Sequence, residues 1–372
     1  MTELENAIKH LKNNKSPGHD DIINELLKYN TCLFKKTLLK LFNIIFEKSY
    51  FPEAWSIGLI IPIFKKGDAN DADNYRGITL LSCLGKLFTC IINNRLNKWA
   101  EVNKVFDSFQ YGFRENKSTI DAMFLLQNII DISLKNRNAL YVTFIDLKKA
   151  FDSANHQAMW YKLSINGVST KIVSLLKDMY SKMKLCVKSN YNANIETTSN
   201  CDCNTQLLSS NTNCELCSNL SYDSCFFSPQ AGVFQGESLS PILFSLFLND
   251  INDFMKDQNI GLHIYQLYLI LILFADDMVL FSDNRFGLQQ GLNRLYGYCS
   301  NWGLTVNVDK TKCMVFKHGG RINAFDKWTY DNQPLETITS FRYLGFVFSS
   351  TGKFKLGIED LVLQGKRAIF KM

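Results

Sequence analysis

Three carboxylates carry the chemistry this sequence can do. Asp276 and Asp277 stand side by side in Phe274-Ala275-Asp276-Asp277, between the apolar runs Leu269–Leu273 and Met278–Phe281. Adjacent acids in such surroundings are costly to desolvate unless they are paired or hold a metal. A third acid, Asp146, closes the apolar stretch Tyr141–Ile145, 130 residues upstream of Asp276. The three can meet only in a fold that pairs their strands. Brought together, they could hold two hard cations about 3.5–4 Å apart, one activating a 3′-hydroxyl and one holding a triphosphate. Mg2+ suits such a site because it takes few carboxylates and keeps substrate oxygens and water as its other ligands; Mn2+ is the alternative. A lone acid at a strand end fits a turn cap as well, but an Asp-Asp pair inside an apolar hairpin fits that role poorly.

Phe151 follows Asp146 by five positions, in Asp146-Leu147-Lys148-Lys149-Ala150-Phe151-Asp152. A bulky ring beside a nucleotide sugar excludes a 2′-hydroxyl by volume, although a phenylalanine read alone is more often core.

The elements that must position these residues alternate in type. Leu140–Ile145 is nearly continuous in apolar residues, as a buried central strand should be. Leu59–Phe64 reads as another strand, ended by Lys65-Lys66-Gly67-Asp68. Helical periodicity covers Lys35–Lys48, with Leu38, Leu39, Phe42, Ile45 and Phe46 on one face, and Leu84–Trp99. Ser118 and Asp121 form a capping-box pattern for a helix running to about Lys135. Further helices are expected at about 153–165, 170–182 and 286–301, and short strands at Met314–Phe316 and Tyr343–Phe348. The interleaving implies a sheet covered by helices.

At 372 residues, with 46% hydrophobic content that includes 28 Phe and 15 Tyr, the chain can bury a large core or two to three packed subdomains. A net charge of +6 permits a polyanionic partner without demanding one. Residues 1–15 are polar and charged, unlike a signal peptide, and the longest apolar run, around Ile264–Phe274, is too short to span a bilayer. The expectation is a protein without a membrane, intracellular, nuclear and/or cytoplasmic, with most of its 11 cysteines reduced. Residues 189–228 stand apart: they are rich in Asn and Ser, contain no Lys or Arg, and hold Cys201, Cys203, Cys214, Cys217 and Cys225. They read as an insert. Their thiols suffice for one structural tetrahedral zinc, but the spacing is not that of a standard finger, and zinc is not assigned.

Nine segments in order resemble the reverse transcriptase domain of non-LTR (LINE-type) retrotransposons. They are Asn14–Asp20, Ile61–Asp68, Asn74–Leu80, Gln110–Arg114 with Ser118-Thr119, Phe144–Asp152, Gly232–Gly236 through Leu239-Ser240-Pro241, Phe274–Asp277, Asn307–Lys312 and Tyr343-Leu344-Gly345, and together they cover about residues 12–350. The resemblance implies an α+β, right-hand polymerase whose antiparallel palm sheet is backed by helices. It implies fingers at about 1–138 and 153–228, a palm at about 139–152 and 229–350, and the start of a truncated thumb at 351–372. The implied activity is RNA-directed DNA polymerisation: primer extension with dNTPs on an RNA template, in a fragment without an endonuclease domain or full thumb. Asp146, Asp276 and Asp277 would be the metal ligands and Lys310 a proton donor to the pyrophosphate. Lys65 and Arg76 would reach the triphosphate, Gln235 and Gly236 would line the nucleotide pocket, and Phe151 would be the sugar gate. The family usually has Gly where Asp21 stands and often Pro where Phe234 stands, which puts a fingertip turn and the approach to the template in question. Two competing readings are a catalytically inactive nucleic-acid-binding remnant and a zinc-stabilised interaction module around residues 201–225.

Overall fold

A computed structural model describes residues 1–188, 226–257, 260–319 and 323–370. The cysteines of the insert, Cys201 to Cys225, lie outside the described residues. In chain order the helices and strands are α1 (Thr2–Lys9), α2 (Asn24–Lys28), α3 (Cys32–Lys48), β1 (Ile57–Phe64), β2 (Tyr75–Leu80), α4 (Cys83–Val102), α5 (Thr119–Lys135), β3 (Leu140–Asp146), α6 (Ala150–Ser153), α7 (His156–Ile165), α8 (Thr170–Lys182) and β4 (Lys184–Val187). There follow α9 (Ser240–Phe247), α10 (Ile251–Met255), β5 (Leu262–Ile264), β6 (Leu267–Leu269), β7 (Leu271–Phe274), β8 (Asp277–Ser282), α11 (Arg285–Trp302), β9 (Lys312–Phe316), β10 (Trp328–Tyr330), β11 (Gln333–Thr337), β12 (Ser340–Tyr343), β13 (Phe346–Ser349) and α12 (Lys355–Ile369). Among the described residues no helix is long and apolar enough to cross a membrane.

Two compact units emerge. The first comprises Met1–Ile91, Lys171–Pro229 and Phe234–Ser238. Its sheet has the order β2-β1-β4, antiparallel between β1 and β2 and parallel between β1 and β4. Leu38, Phe42 and Ile45 of α3 are buried as the periodicity predicts, because the helical repeat sets them on one stripe. Phe42, Phe51, Trp55 and Phe88 then pack ring to ring, with centroids 5.2 to 6.4 Å apart. The two departures from the family pattern are accommodated locally. Asp21 takes a left-handed backbone, φ 53°, one of the few non-glycine residues that do so readily. Phe234 is buried and stacks on Tyr180 at 5.0 Å.

The second unit comprises Ile92–Thr170, Gln230–Val233 and Leu239–Met372. Its six-stranded sheet has the order β10-β11-β9-β3-β8-β7 and is antiparallel except between β11 and β9. Strand side chains alternate between faces. Val142 and Phe144 of β3, Val279 and Phe281 of β8 and Met314 and Phe316 of β9 join Ala122, Leu126, Ile129 and Ile130 of α5 in one core. On the other face, Gly291 of α11 lies against Leu280, where an added Cβ would stand 3.1 Å from that side chain. The Ser118–Asp121 capping box is present, satisfying two helix-start donors reciprocally.

Two expected elements differ. The helix expected at about 153–165 is α7, which starts three residues later because Asn155 is extended and caps it by accepting from Ala158 N; the short α6 precedes it. Tyr343–Phe348 is not one strand but the middle of the β12–β13 hairpin, turned at Leu344 (φ 47°) and Gly345 (φ 94°). Positive φ at both central residues is the hairpin turn that matches strand twist. Deeper in this unit, the fully buried Lys162 donates to Phe247 O (2.8 Å), Asp250 Oδ1 (2.7 Å) and Tyr298 Oη (2.6 Å).

Candidate active site

The register of the second unit's sheet decides where the acids meet. Asp146, the last residue of β3, is the direct cross-strand partner of Asp277, the first residue of β8. Asp276 lies beside them in the two-residue turn Ala275-Asp276, whose flanking residues Phe274 and Asp277 are paired. Ala275 has φ 58°, a position that favours glycine. It is held there from outside: Leu273 pairs with the segment before it, with Leu273 N donating to Phe109 O at 2.9 Å and Tyr111 N donating to Leu273 O at 2.8 Å. Gly112 then passes so close that a Cβ on it would fall 2.2 Å from Ala275 N.

The turn after α11 supplies the positive charge. Asn307 N donates to Asp146 O at 2.8 Å, and Asp146 N donates to Thr311 Oγ1 at 3.3 Å. Thr311 is fully buried, so this turn is fixed to the strand end. It presents Lys310, whose Nζ lies 3.4 Å from Asp146 Oδ2. Burial, then the charges of Asp276 and Asp146, push the Asp277 carboxyl up to about 6, against the pull of Lys310. Burial is the larger cause, and the neighbouring like charges add to it. Next to them opens a cavity of about 400 Å³ lined by Asp146, Asp277, Asp309, Lys310 and Tyr343, among others. Tyr343 is buried and its hydroxyl has no hydrogen-bond partner among the described residues.

Three aspartates are an all-oxygen donor set, which suits a hard divalent cation such as Mg2+. Among the described residues no group of three or more His, Cys, Asp and Glu side chains is placed so that it could hold a metal ion as it stands. The backbone gathers the acids, and Lys310 takes part of the charge that a cation would otherwise neutralise. In donor chemistry, though not in side-chain placement, the three aspartates fit a divalent cation.

Phe151 sits on the short helix α6, entered through Lys149 at φ 49°. Its carbonyl accepts from Val233 N at 2.6 Å, and Gly232 (φ 90°) lies so near Asp152 that a Cβ would stand 2.8 Å from Asp152 O. His156 Nε2 is 2.8 Å from Gly232 O. In the sequence Gly112 and Gly232 signal only their residue type and not their partners, and His156 carries no signal of its own.

The remaining predicted residues lie together in the first unit. Lys65 and Arg76 are exposed near the end of the β1–β2 hairpin, where Arg76 pairs across from Ile63 and Lys65 N donates to Asn74 O at 2.8 Å. Gln235 O accepts from Thr79 N of β2 at 2.9 Å, and Gly236 (φ 108°) lies against the same residue, leaving 2.9 Å between a Cβ and Thr79 O.

The chain is similar to known proteins along most of its length. An RNA-directed DNA polymerase from the mobile element jockey of Drosophila funebris is 25% identical over the whole chain, which covers 37% of that protein. A probable RNA-directed DNA polymerase from transposon BS of Drosophila melanogaster is 28% identical over 85% of the chain and 32% of its own length. The chain therefore spans about a third of the length of these relatives. Among solved structures, Candida tropicalis telomerase lacking its C-terminal domain superposes with a TM-score of 0.51 at 15% identity, over 86% of this chain and 59% of that one. At that identity the likeness concerns fold alone, and the fold is that of an α+β polymerase. Residues 63–348, which include all three aspartates, match the family described as reverse transcriptase (RNA-dependent DNA polymerase). With that match spanning most of its length and its relatives drawn from non-LTR retrotransposons, the chain belongs to the reverse transcriptase family.

Proposed function

We propose that this chain extends a primer 3′ end with dNTPs on an RNA template, by phosphoryl transfer at Asp146, Asp276 and Asp277. The observation that carries this reading is the cross-strand pairing of Asp146 with Asp277 beside the Asp276 turn. These carboxylates would hold two divalent cations, Mg2+ or Mn2+, which when bound lower the pKa of the attacking hydroxyl and neutralise the triphosphate. The chain's own residues would do the rest. Lys65 and Arg76 bind the triphosphate, where the Arg guanidinium suits two phosphate oxygens at once. Gln235 and Gly236 line the nucleotide site, the glycine letting the backbone approach closely. Phe151 excludes the 2′-hydroxyl. Lys310 holds a proton at Nζ for the pyrophosphate leaving group. Template and primer bind mainly through their phosphates, with affinity that falls as salt rises.

The test is dNTP incorporation on a primed RNA template with Mg2+, comparing the chain with an Asp276→Ala, Asp277→Ala variant. Loss of extension with retained template binding is expected. Extension that survives the double substitution would falsify the assignment.

A further inference from the structure

Phe113 is costly to the fold in two respects. Its backbone is left-handed, φ 59°, which a bulky side chain rarely adopts. The residue is 46% exposed, so burial returns little. Strain of this kind persists where something other than stability selects it.

Its ring meets the ring of Phe151 edge to face, with centroids 6.1 Å apart and planes at 85°. Phe151 in turn lies stacked on Phe244 at 4.8 Å and 23°. Phe244 is fully buried in α9. Phe151 is thus held between a buried inner ring and an outer one. The outer ring is itself anchored, because Gly112, the preceding residue, is wedged against the backbone of Ala275. Two consecutive residues of one loop therefore touch the turn that carries Asp276 and the ring five residues beyond Asp146.

We propose that Phe113 is a specificity-determining positioning residue: it clamps the Phe151 ring and thereby sets discrimination between deoxyribonucleotides and ribonucleotides, without itself touching the sugar. This rests on the reading of Phe151 as the sugar gate. With Phe113 truncated, the solvent-side wall is gone and the Phe151 ring can tilt away from the position that blocks a 2′-hydroxyl.

The test measures kcat/KM for single dNTP and rNTP additions to a primed RNA template, using the full chain, Phe151→Ala, Phe113→Ala, Phe113→Gly and the Phe113→Ala, Phe151→Ala double variant. Phe151→Ala should lower the dNTP-to-rNTP ratio most. Phe113→Ala should lower it about 2–10-fold, the factor expected of one edge-to-face pair, through faster rNTP use rather than slower dNTP use. Phe113→Gly removes the backbone strain with the ring, so it should melt no lower than Phe113→Ala yet discriminate as poorly. The double variant should be no worse than Phe151→Ala alone, because Phe113 acts through that ring. An unchanged ratio in Phe113→Ala beside a lowered one in Phe151→Ala overturns this inference alone. So does an equal loss for both nucleotides, which marks a merely structural role, or additive effects in the double variant. An unchanged ratio in Phe151→Ala, or no incorporation by the unaltered chain, overturns the underlying reading and this inference with it.

Discussion

Gly112→Ala adds one methyl group at the point where the chain presses on the acidic turn. The new Cβ would stand 2.2 Å from Ala275 N and 2.9 Å from the Phe274 carbonyl carbon, whereas ordinary contact begins at 3.4 Å. The two backbones must therefore part by roughly 1.2 Å. Neither atom belongs to a side chain that could rotate away. Gly112 does not use a left-handed backbone, so alanine meets no conformational objection there. The hydrogen bonds of Leu273 to Phe109 and Tyr111 resist movement on the strand side, and the shift falls on the turn carrying Asp276. Overpacking of this sort costs about 1–3 kcal/mol of stability, and misplacing a reacting group by about 1 Å costs about 100-fold in rate. Single-nucleotide extension under template saturation should show kcat reduced about 100-fold, with a near-normal KM for dNTP and unchanged template affinity. A folded Gly112→Ala protein keeping more than about a third of the normal kcat would refute the view that this contact sets the acidic turn.

Chelating divalent cations with EDTA should abolish extension, and added Mg2+ should restore it; extension that persists in excess chelator counts against the three-aspartate site. Lys162→Met strands the Phe247 carbonyl and breaks the pair with Asp250, which is 36% exposed; urea unfolding should show a loss of about 2–3 kcal/mol, below the usual cost of breaking a fully buried pair. Burial, against the pull of Asp250, lowers the Lys162 ammonium from 10.5 to about 8. Between those values the unfolded chain binds a proton that the folded chain has released, so this group's contribution to stability rises with pH across that window. Burial of Cys299, pushed up from 9.0 to about 11, acts in the opposite sense above pH 9. Thermal melts should therefore show the gap between the unaltered chain and Lys162→Met widening from pH 7.5 to 9, and a constant gap contradicts the assignment. Gly297→Ala, inside α11 with nothing within 4 Å of a new Cβ, should raise stability by about 0.5–1 kcal/mol; a fall in Tm would show a contact the geometry lacks.

Much of this was readable from local chemistry. A continuous apolar strand ending in Asp146 announces a buried strand with an acid at its tip, and Ser118 with Asp121 announces a helix start, because in each case the deciding interactions lie within a few residues. Asn155 is likewise a local signal, a favoured cap residue that sets the start of α7. The cross-strand pairing of Asp146 with Asp277 was inferable only as a requirement, since register depends on which strands the fold brings side by side. The roles of Gly112 and Gly232 were out of reach because each is dictated by backbone more than 75 residues away in sequence. Leu344 at φ 47° defeated the reading of Tyr343–Phe348, since leucine gives no turn signal.

The turn that presents Lys310 hangs from the backbone of Asp146 itself, through Asn307 N and Thr311 Oγ1. When the end of β3 is displaced, by heat or by a neighbouring substitution, the lysine travels with the aspartate. Positional errors in the two groups are thus correlated, and they cancel in the separation between them instead of accumulating. The ammonium and the carboxylate share one frame of reference, and their spacing is insulated from distortions of the sheet that carries both.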